Sequence, residues 1–294
     1  MASNQSLVIQ IAGIVLSISE ESAIAPIELG RPYQNFISTS KPDVFLTVHK
    51  DGIPKCDLQN ARLIFNSQTT WRLYKTESQH IFVLKSPNFG LQPYRVGIFN
   101  SNNNSGDIYN RILNSLNPSD SFFSNPIGLP LFELLFVCLL AQGRGLMIHA
   151  CGIDDHGRGI LFAGNSTHGK STMAKLWKEQ ATVLNDDRIV IRQREGRFWM
   201  YGTPWHSDYT GVAPHGVPLE KIFFLNHAAE NTAQQVEGVN AVSKLVARAF
   251  PPLWDQEGMG FSLDFCADLI ENIPCYELGF VPSGDIMDFI RCLS

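Results

Sequence analysis

A glycine-rich segment that ends in a lysine and a serine has the most specific chemistry in the sequence. It reads Gly164-Asn165-Ser166-Thr167-His168-Gly169-Lys170-Ser171 and is followed by Thr172. The segment matches the pattern G-x-x-x-x-G-K-[ST] at every position. Its two glycines permit backbone angles that let the loop turn its N–H groups toward phosphate oxygens. We therefore predict that residues 164–172 bind the phosphates of a nucleotide, with ATP as the cofactor.

Two side chains at the end of this loop have predicted roles of their own. Lys170 is expected to reach the β- and γ-phosphates, and the Ser171 hydroxyl is expected to bind Mg²⁺. The segment lies between a predicted strand, Gly159–Ala163, and a predicted helix, Thr172–Glu179. A strand before the loop and a helix after it are the context in which this pattern is a phosphate site. The N-terminus of the helix adds partial positive charge.

Two adjacent aspartates follow the next apolar strand, which we predict over Val183–Asn185. A carboxylate at the end of such a strand can hold Mg²⁺, directly or through water. A second carboxylate beside it can accept the proton of a substrate hydroxyl. Asp186 and Asp187 are therefore candidates for these two tasks. The residues alone leave open which aspartate serves the metal and which one accepts the proton.

The elements that position these residues belong to the second of two predicted domains. The first hundred residues alternate short apolar runs with turn residues, which predicts a β-rich, antiparallel domain over residues 1–125. The polar stretch Asn100–Gly106 is expected to be a loop. Residues 126–294 are predicted to form an α/β nucleotide-binding domain.

Individual elements follow from apolar runs and turn residues. Leu7–Leu16 is expected to form one strand, Leu129–Ala141 a buried helix, and Ser283 the cap of the last helix. The other predicted strands of the second domain are Leu146–Ile153, Ile189–Arg192, Phe198–Tyr201, Lys221–Leu225 and Tyr276–Phe280, and its other predicted helices are Asn240–Phe250 and Asp285–Leu293.

The composition indicates which kinds of partner and which cellular compartment to expect. The formal net charge is −5 and the basic residues are dispersed, so we expect no nucleic-acid partner. The apolar run Leu129–Ala141 contains Glu133 and is shorter than the roughly 18–20 residues of a membrane span, so we expect no membrane insertion. The six cysteines form no CxxC pair, which argues against a zinc site or a disulfide framework and favours the cytoplasm.

Four strings of the sequence resemble one known family. They are Ile148-His149-Ala150, GILFAGNSTHGKST, VLNDDR and YGTPWH. Together they resemble the C-terminal domain of HPr kinase/phosphorylase and, more closely, the HPr-kinase-related proteins of bacteria. That superfamily shares its P-loop core with the phosphoenolpyruvate carboxykinases. The resemblance is good from Gly145 to about Leu225 and weaker from there to the C-terminus. It implies an α/β fold, with an HPr-kinase-like P-loop domain preceded by the β-rich domain.

The resemblance also implies an activity. It implies an ATP- and Mg²⁺-dependent serine kinase that acts on a small protein or peptide. Asp187 would be the base, Asp186 the acid on the metal side, and His149 a histidine near the phosphates. The alternative for His149 is a core histidine that is hydrogen-bonded to a backbone group. Thr172 stands where HPr kinases usually carry a glutamate, and the basic signature used for phosphorolysis is not found, so neither the reverse reaction nor HPr as the substrate is implied. HPr kinases assemble as hexamers, which makes a homo-oligomer an expectation.

Several further residues have two interpretations. The loop Gly202–Asp208 is expected either to line the acceptor or nucleotide pocket or to be held down by Trp205 as a packing anchor. Arg188 is expected to bind phosphate or to brace the aspartates. Phe250–Trp254 is interpreted as a helix stop, and Cys151 as a packing residue.

Two functions of other classes compete with the kinase. One is a P-loop ATPase or GTPase, although the sequence lacks a clear N/T-K-x-D guanine motif. The other is a nucleotide sensor or scaffold without catalysis. The presence of Lys170, Ser171, Asp186 and Asp187 together argues against that alternative, because a site without chemistry has no physical need for all four.

Overall fold

The chain folds into two compact units that together form a mixed α/β structure with two large sheets. The computed structural model describes residues 6–21, 29–50, 52–54, 58, 60–87, 90, 92–111, 125 and 127–293. The units comprise residues 1–139 and 140–294. Residue 126, where the second predicted domain begins, lies outside the described residues, and the predicted boundary stays a prediction. Within the described ranges, no helix has the length and apolar character needed to cross a membrane.

The first unit contains one eight-stranded sheet. Its strands are β1 (Leu7–Ile11), β2 (Ile14–Glu20), β3 (Val44–His49), β4 (Arg62–Asn66), β5 (Trp71–Lys75), β6 (Gln79–Leu84), β7 (Arg95–Asn100) and β8 (Ser105–Asn110). They are arranged in the order β1-β2-β3-β8-β7-β6-β5-β4. Two helices are present among the described residues of this part of the chain, the short helix α1 (Arg31–Gln34) and the helix α2 (Leu131–Leu140). The last residue of α2 already belongs to the second unit.

Two predictions for the first unit are wrong. The run Leu7–Leu16 is not one strand, because Ala12 and Gly13 both adopt positive φ, 50° and 72°. Two such residues form a tight turn, and β1 and β2 pair as a hairpin. The sheet is also not purely antiparallel, since β3 pairs in parallel with both β2 and β8. These parallel pairs join strands distant in sequence, which local patterns do not predict.

The second unit is built on a second eight-stranded sheet. Its strands are β9 (Leu146–Asp155), β10 (Arg158–Ala163), β11 (Thr182–Asn185), β12 (Arg188–Arg194), β13 (Arg197–Tyr201), β14 (Gly216–His227), β15 (Thr232–Gln235) and β16 (Cys275–Phe280). The order is β10-β9-β12-β13-β14-β16-β15, and β11 pairs with β9. In addition, β10 pairs with β14, so the strands from β10 to β14 in this order form a closed ring of paired strands.

Three neighbouring strands of this sheet are parallel, and their carboxyl ends lie at one edge. β14 pairs in parallel with β10 and with β16. The ends of these strands are Ala163, His227 and Phe280. In open α/β sheets, ligands bind outside the carboxyl ends of parallel strands. The segment 164–169 leaves β10 at this edge.

Four helices cover the two faces of the parallel strands. They are α3 (Lys170–Trp177), α4 (Gly238–Val246), α5 (Gln256–Asn272) and α6 (Asp285–Cys292). Side chains alternate along a strand, so Ile160 and Phe162 of β10 pack in one hydrophobic cluster with α3 and α6. Leu161 and Ala163 point the other way, into a cluster with α4 and α5. The sheet is therefore a rigid support for the loop that follows β10.

Most predicted elements of the second unit are present, but α4 ends at Val246 and not at Phe250, and β15 was not predicted. The helix α5 was not predicted, because Gly258 and Gly260 in its first turns disfavour a helix by propensity. Its start is fixed instead by Asp255, whose side chain accepts a hydrogen bond from the Glu257 N–H at 3.2 Å. Ser283 does not cap α6, since the N-cap position is Gly284 and no side chain bonds there.

Candidate active site

The loop between β10 and α3 depends on its two glycines. Gly169 is the N-cap of α3 and adopts φ 96°, a conformation that side chains rarely tolerate. A Cβ atom on Gly169 would stand 2.5 Å from Cζ of Phe280, and one on Gly164 would stand 3.0 Å from Cβ of His168. Any larger residue at Gly169 would therefore have to displace the Phe280 ring.

The start of α3 offers backbone N–H groups to a ligand. The first helical bond that belongs to α3 runs from the N–H of Met173 to the carbonyl of Gly169, at 2.9 Å. The N–H groups of Lys170, Ser171 and Thr172 precede that bond and have no intrahelical partner. No side chain caps them in the described part of the chain. Such N–H groups, with the partial positive charge of the helix end, bind anions.

Two histidines fasten the loop to β14. His168, inside the loop, donates from Nδ1 to the carbonyl oxygen of Leu225 at 3.0 Å. His227, the last residue of β14, donates from Nε2 to the carbonyl oxygen of Thr167 at 2.7 Å. Thr167 has φ 73°, a left-handed conformation that needs support in a residue with a branched side chain. Asn165, Ser166 and Thr167 are exposed at the outer side of the loop.

Lys170 points back into the loop. Its ammonium group donates to the carbonyl oxygens of Gly164 and Asn165, both at 3.0 Å, and lies 2.9 Å from Nε2 of His149. The residue is only 6% exposed. Burial lowers the pKa of Lys170, and the negative charges of Asp187 and Asp186 oppose this effect. The backbone of the loop therefore surrounds the Lys170 ammonium group and shields it from water.

Ser171 and Asp186 are in direct contact. The Ser171 hydroxyl donates to Oδ2 of Asp186 at 2.7 Å. Asp186 is fully buried, and its two carboxylate oxygens also accept the backbone N–H groups of Ser207 at 2.9 Å and Tyr209 at 3.0 Å. The carboxylate therefore joins the start of α3 to the segment after β13.

The pair Ser171 and Asp186 provides oxygen atoms of the kind that Mg²⁺ prefers. Among the described residues, no group of three or more His, Cys, Asp or Glu side chains could hold a metal ion. A site with few protein ligands suits Mg²⁺, which usually keeps several waters and takes further oxygens from substrate phosphates. The donor set therefore fits a magnesium ion that arrives with a nucleotide, and it does not fit a metal held by the protein alone.

Asp187 is held between a histidine and an arginine. Its Oδ1 lies 2.9 Å from Nδ1 of His149, and its Oδ2 accepts a hydrogen bond from Nη1 of Arg188 at 2.6 Å. Burial tends to raise the pKa of Asp187, but the hydrogen bond with His149 and the charge of Arg188 outweigh it and lower the pKa. Asp187 is therefore an anion at neutral pH, and its side chain remains 18% exposed.

The position of the aspartates follows from a gap between two strands. β11 and β12 both pair with β9, at residues 152–154 and 146–149 respectively. Asp186 and Asp187 lie between them. The buried side chain of Asn185 stabilises this break, because its Oδ1 accepts the N–H groups of Asp187 at 2.6 Å and Arg188 at 2.9 Å. The strand pairing thus brings the aspartates opposite His149 and its neighbours on β9.

The structure shows the surroundings of Trp205, Arg188 and Cys151. Trp205 is buried, 2% exposed, and its carbonyl oxygen accepts from Nδ2 of Asn185 at 3.1 Å, so it anchors the segment whose backbone contacts Asp186. Arg188 braces Asp187, and its guanidinium lies over the ring of Phe250, 4.3 Å from the ring centre. Cys151 is fully buried in the cluster with α3, and burial raises the pKa of its thiol.

Sequence reasoning missed Asn185, Tyr209, His227 and Phe250 as neighbours of the site. Asn185 stands directly before the aspartates, so its position was the one available signal. The other three are 22 or more residues away from the aspartates in sequence, and only the sheet topology brings them close. Phe250 was interpreted as part of a helix stop, yet it contacts both Arg188 and His149.

The protein thus has a mixed α/β fold. A glycine-rich loop, a lysine and two aspartates lie close together at the carboxyl end of β10. The family model described as "SynChlorMet cassette protein ScmC" matches residues 133–290. This range is more than half of the 294 residues, and the chain belongs to that family.

Two other comparisons complete this description. The solved structure of the Hpr(Ser) kinase/phosphatase from Coxiella burnetii is similar at 11% identity with a TM-score of 0.30, over 49% of this chain and 91% of that chain. No curated protein matches the sequence.

Proposed function

We propose that the chain is an ATP- and Mg²⁺-dependent kinase that transfers the γ-phosphoryl group to a serine hydroxyl of a small protein or peptide. One observation carries the proposal. The loop lysine, the pair Ser171 and Asp186, and the ionised Asp187 converge on the N-terminus of α3. Phosphoryl transfer needs cations and N–H donors around the phosphates and a carboxylate beside the acceptor.

The loop supplies the phosphate site of this proposal. The N–H groups at the start of α3 and the Lys170 ammonium would contact the phosphate oxygens, so Lys170 exchanges its bonds to the loop carbonyls for bonds to phosphate. Ser171 and Asp186 would hold Mg²⁺ together with the nucleotide. When bound, the ion neutralises charge on the phosphates.

Asp187 would act on the hydroxyl group of the acceptor serine. A bond forms between the serine oxygen and the γ-phosphorus, the bond from the γ-phosphorus to the bridging oxygen of ADP breaks, and the serine proton passes to Asp187. A carboxylate with a lowered pKa is a weak base, so its contribution is to orient the hydroxyl and to take the proton late in the transfer. Positioning and electrostatics would account for most of the catalysis.

The test is transfer of label from γ-labelled ATP, with Mg²⁺, to a panel of small proteins and peptides encoded near this gene. The proposal predicts label on serine with the native chain and labelling at least about 100-fold slower with Asp187→Asn. Asp264→Asn is the matched control, because Asp264 is an exposed aspartate of α5.

Two other results would overturn the proposal. Release of free phosphate without labelled protein would indicate an ATPase. Tight ATP binding without turnover, across the whole panel, would indicate a nucleotide sensor.

A further inference from the structure

The strand β4 lies at one end of the sheet of the first unit. It pairs with β5 alone, in antiparallel register. In the described residues no strand lies against its other side, so half of its backbone N–H and C=O groups face outward. A free edge of this kind is a template for another strand, and proteins usually protect it.

The edge has apolar as well as polar character. Leu63 is 47% exposed, and the ladder to β5 is irregular between Leu63 and Phe65. Phe65 stacks on Trp71 of β5, with ring centres 4.8 Å apart, which fixes β4 to its neighbour. The strand is therefore held in place on one side, while no strand of the described ranges pairs with its other side.

Three cations lie on β4 and β5, with Arg62 and Lys75 on one face of the sheet and Arg72 on the other. Arg62 stands opposite Lys75, and Arg72 stands opposite Asn66. None of the three forms an ion pair with any described residue, although the chain as a whole has a net charge of −5. Like charges directly opposite each other on two strands destabilise a sheet. The local excess of positive charge is thus unfavourable in the isolated chain, and an anionic partner would relieve it.

We propose that β4 binds an extended acidic peptide by strand addition. Main-chain hydrogen bonds to the edge give affinity, and acidic side chains on one face of the peptide pair with Arg62 and Lys75. A second copy of this chain is a poorer occupant, because it would bring the same cations against each other. This inference is independent of the proposed phosphoryl transfer, since it concerns only the first unit and needs no nucleotide.

The test is binding of a fluorescent ten-residue peptide of alternating glutamate and valine to the full chain at low salt, without nucleotide. The charge reversal Arg62→Glu/Lys75→Glu should weaken binding by on the order of tenfold or more. The control variant Arg31→Glu/Lys41→Glu has the same change in net charge at exposed positions of the same unit, and it should bind as the native chain does. Hydrogen exchange of the amides in residues 62–66 should slow when the peptide is present.

Four outcomes would overturn the inference. The first is no binding at low salt, and the second is equal binding by both double variants. The third is equal binding of the same peptide with N-methyl groups on alternate amides, because such a peptide keeps its charge but cannot extend the sheet. The last is concentration-dependent protection of residues 62–66 in the chain alone, which would mean that a second copy occupies the edge.

Discussion

The Lys170 ammonium lies 2.9 Å from Nε2 of His149, and Nδ1 of the same ring lies 2.9 Å from the Asp187 carboxylate. An ammonium group can only donate a hydrogen bond, so Nε2 must accept and the ring proton must be on Nδ1, where it is donated to Asp187. His149 therefore connects the lysine of the loop to the carboxylate that we propose as the base. In the proposed nucleotide complex Lys170 would turn to a phosphate, and only the contact on the Nε2 side would be lost.

The first prediction concerns Lys170. Replacing it with alanine should weaken ATP binding by about 10- to 100-fold, because a hydrogen bond between charged groups is lost. ADP binding should fall less, since ADP lacks the γ-phosphate. Lys175→Ala removes an exposed lysine of the same helix and should leave both affinities unchanged. Calorimetric titration measures all of them, and equal losses for ATP and ADP would show that Lys170 does not reach the γ-phosphate.

The second prediction concerns the pH dependence of the reaction. Hydrogen bonding with His149 lowers the pKa of Asp187, so the His149→Ala variant should have a higher Asp187 pKa. A reaction that needs the ionised carboxylate is lost when the pH falls through that pKa. The acid limb of the profile of kcat/KM against pH should therefore move to higher pH in the variant. An acid limb at the native position would mean that His149 does not act through Asp187.

The third prediction concerns Gly169. Alanine there meets the Phe280 ring and must also adopt φ 96°, so Gly169→Ala should weaken nucleotide binding by on the order of tenfold or more. Gly157→Ala is the matched control, because Gly157 has φ 86° but nothing within 4 Å of its added methyl group. It should share the backbone strain, lose about 1 kcal/mol of stability, and bind nucleotide normally. Equal binding by the two variants would contradict the role assigned to the Gly169 contact.

The fourth prediction concerns the attachment of α6. Asp155 is fully buried and accepts two hydrogen bonds from Arg291 of α6, at 3.0 and 2.8 Å. The hydrogen bonds from Arg291 lower the pKa of Asp155, and burial opposes them only in part. Asp155→Asn should therefore lower the free energy of unfolding by about 1–2 kcal/mol at neutral pH, because Arg291 remains partly exposed to solvent. Urea unfolding measures this loss.

The sign of its pH dependence follows from the lowered pKa. The stabilisation is present above the ordinary aspartate pKa of about 3.9 and is lost as the pH falls through the lower pKa of the folded state. The difference between the native chain and Asp155→Asn should accordingly shrink below about pH 4. Asp288→Asn removes an exposed carboxylate 3.8 Å from the same arginine and should change little. A constant difference down to low pH would contradict the assigned ion pair.

The loop could be found from the sequence because its residues are contiguous. Eight consecutive positions define it, and the strand and helix beside it have clear apolar runs. The aspartates were found for the same reason, since Asp186 follows a short apolar strand directly. Local signals of this kind do not need a fold to be recognised.

The contacts that make the site could not be predicted in the same way. Asp186 accepts N–H groups from residues 21 and 23 positions later, and His227 contacts the loop across 60 positions. The first two contacts follow from the hairpin of β12 and β13, which brings the segment after β13 back to Asp186. The third follows from the pairing of β10 with β14, a parallel pair that joins distant strands. The hairpin at Ala12–Gly13 was missed for a different reason, because alanine is not a usual residue at positive φ.

The most direct test of the central claim is a single-turnover reaction. The chain is loaded with γ-labelled ATP and Mg²⁺, mixed with a serine acceptor from the panel, and quenched at intervals. The account predicts that Asp187→Asn binds ATP as tightly as the native chain but transfers at least about 100-fold more slowly, while Asp264→Asn transfers at the native rate. Transfer by Asp187→Asn at the native rate would contradict the account.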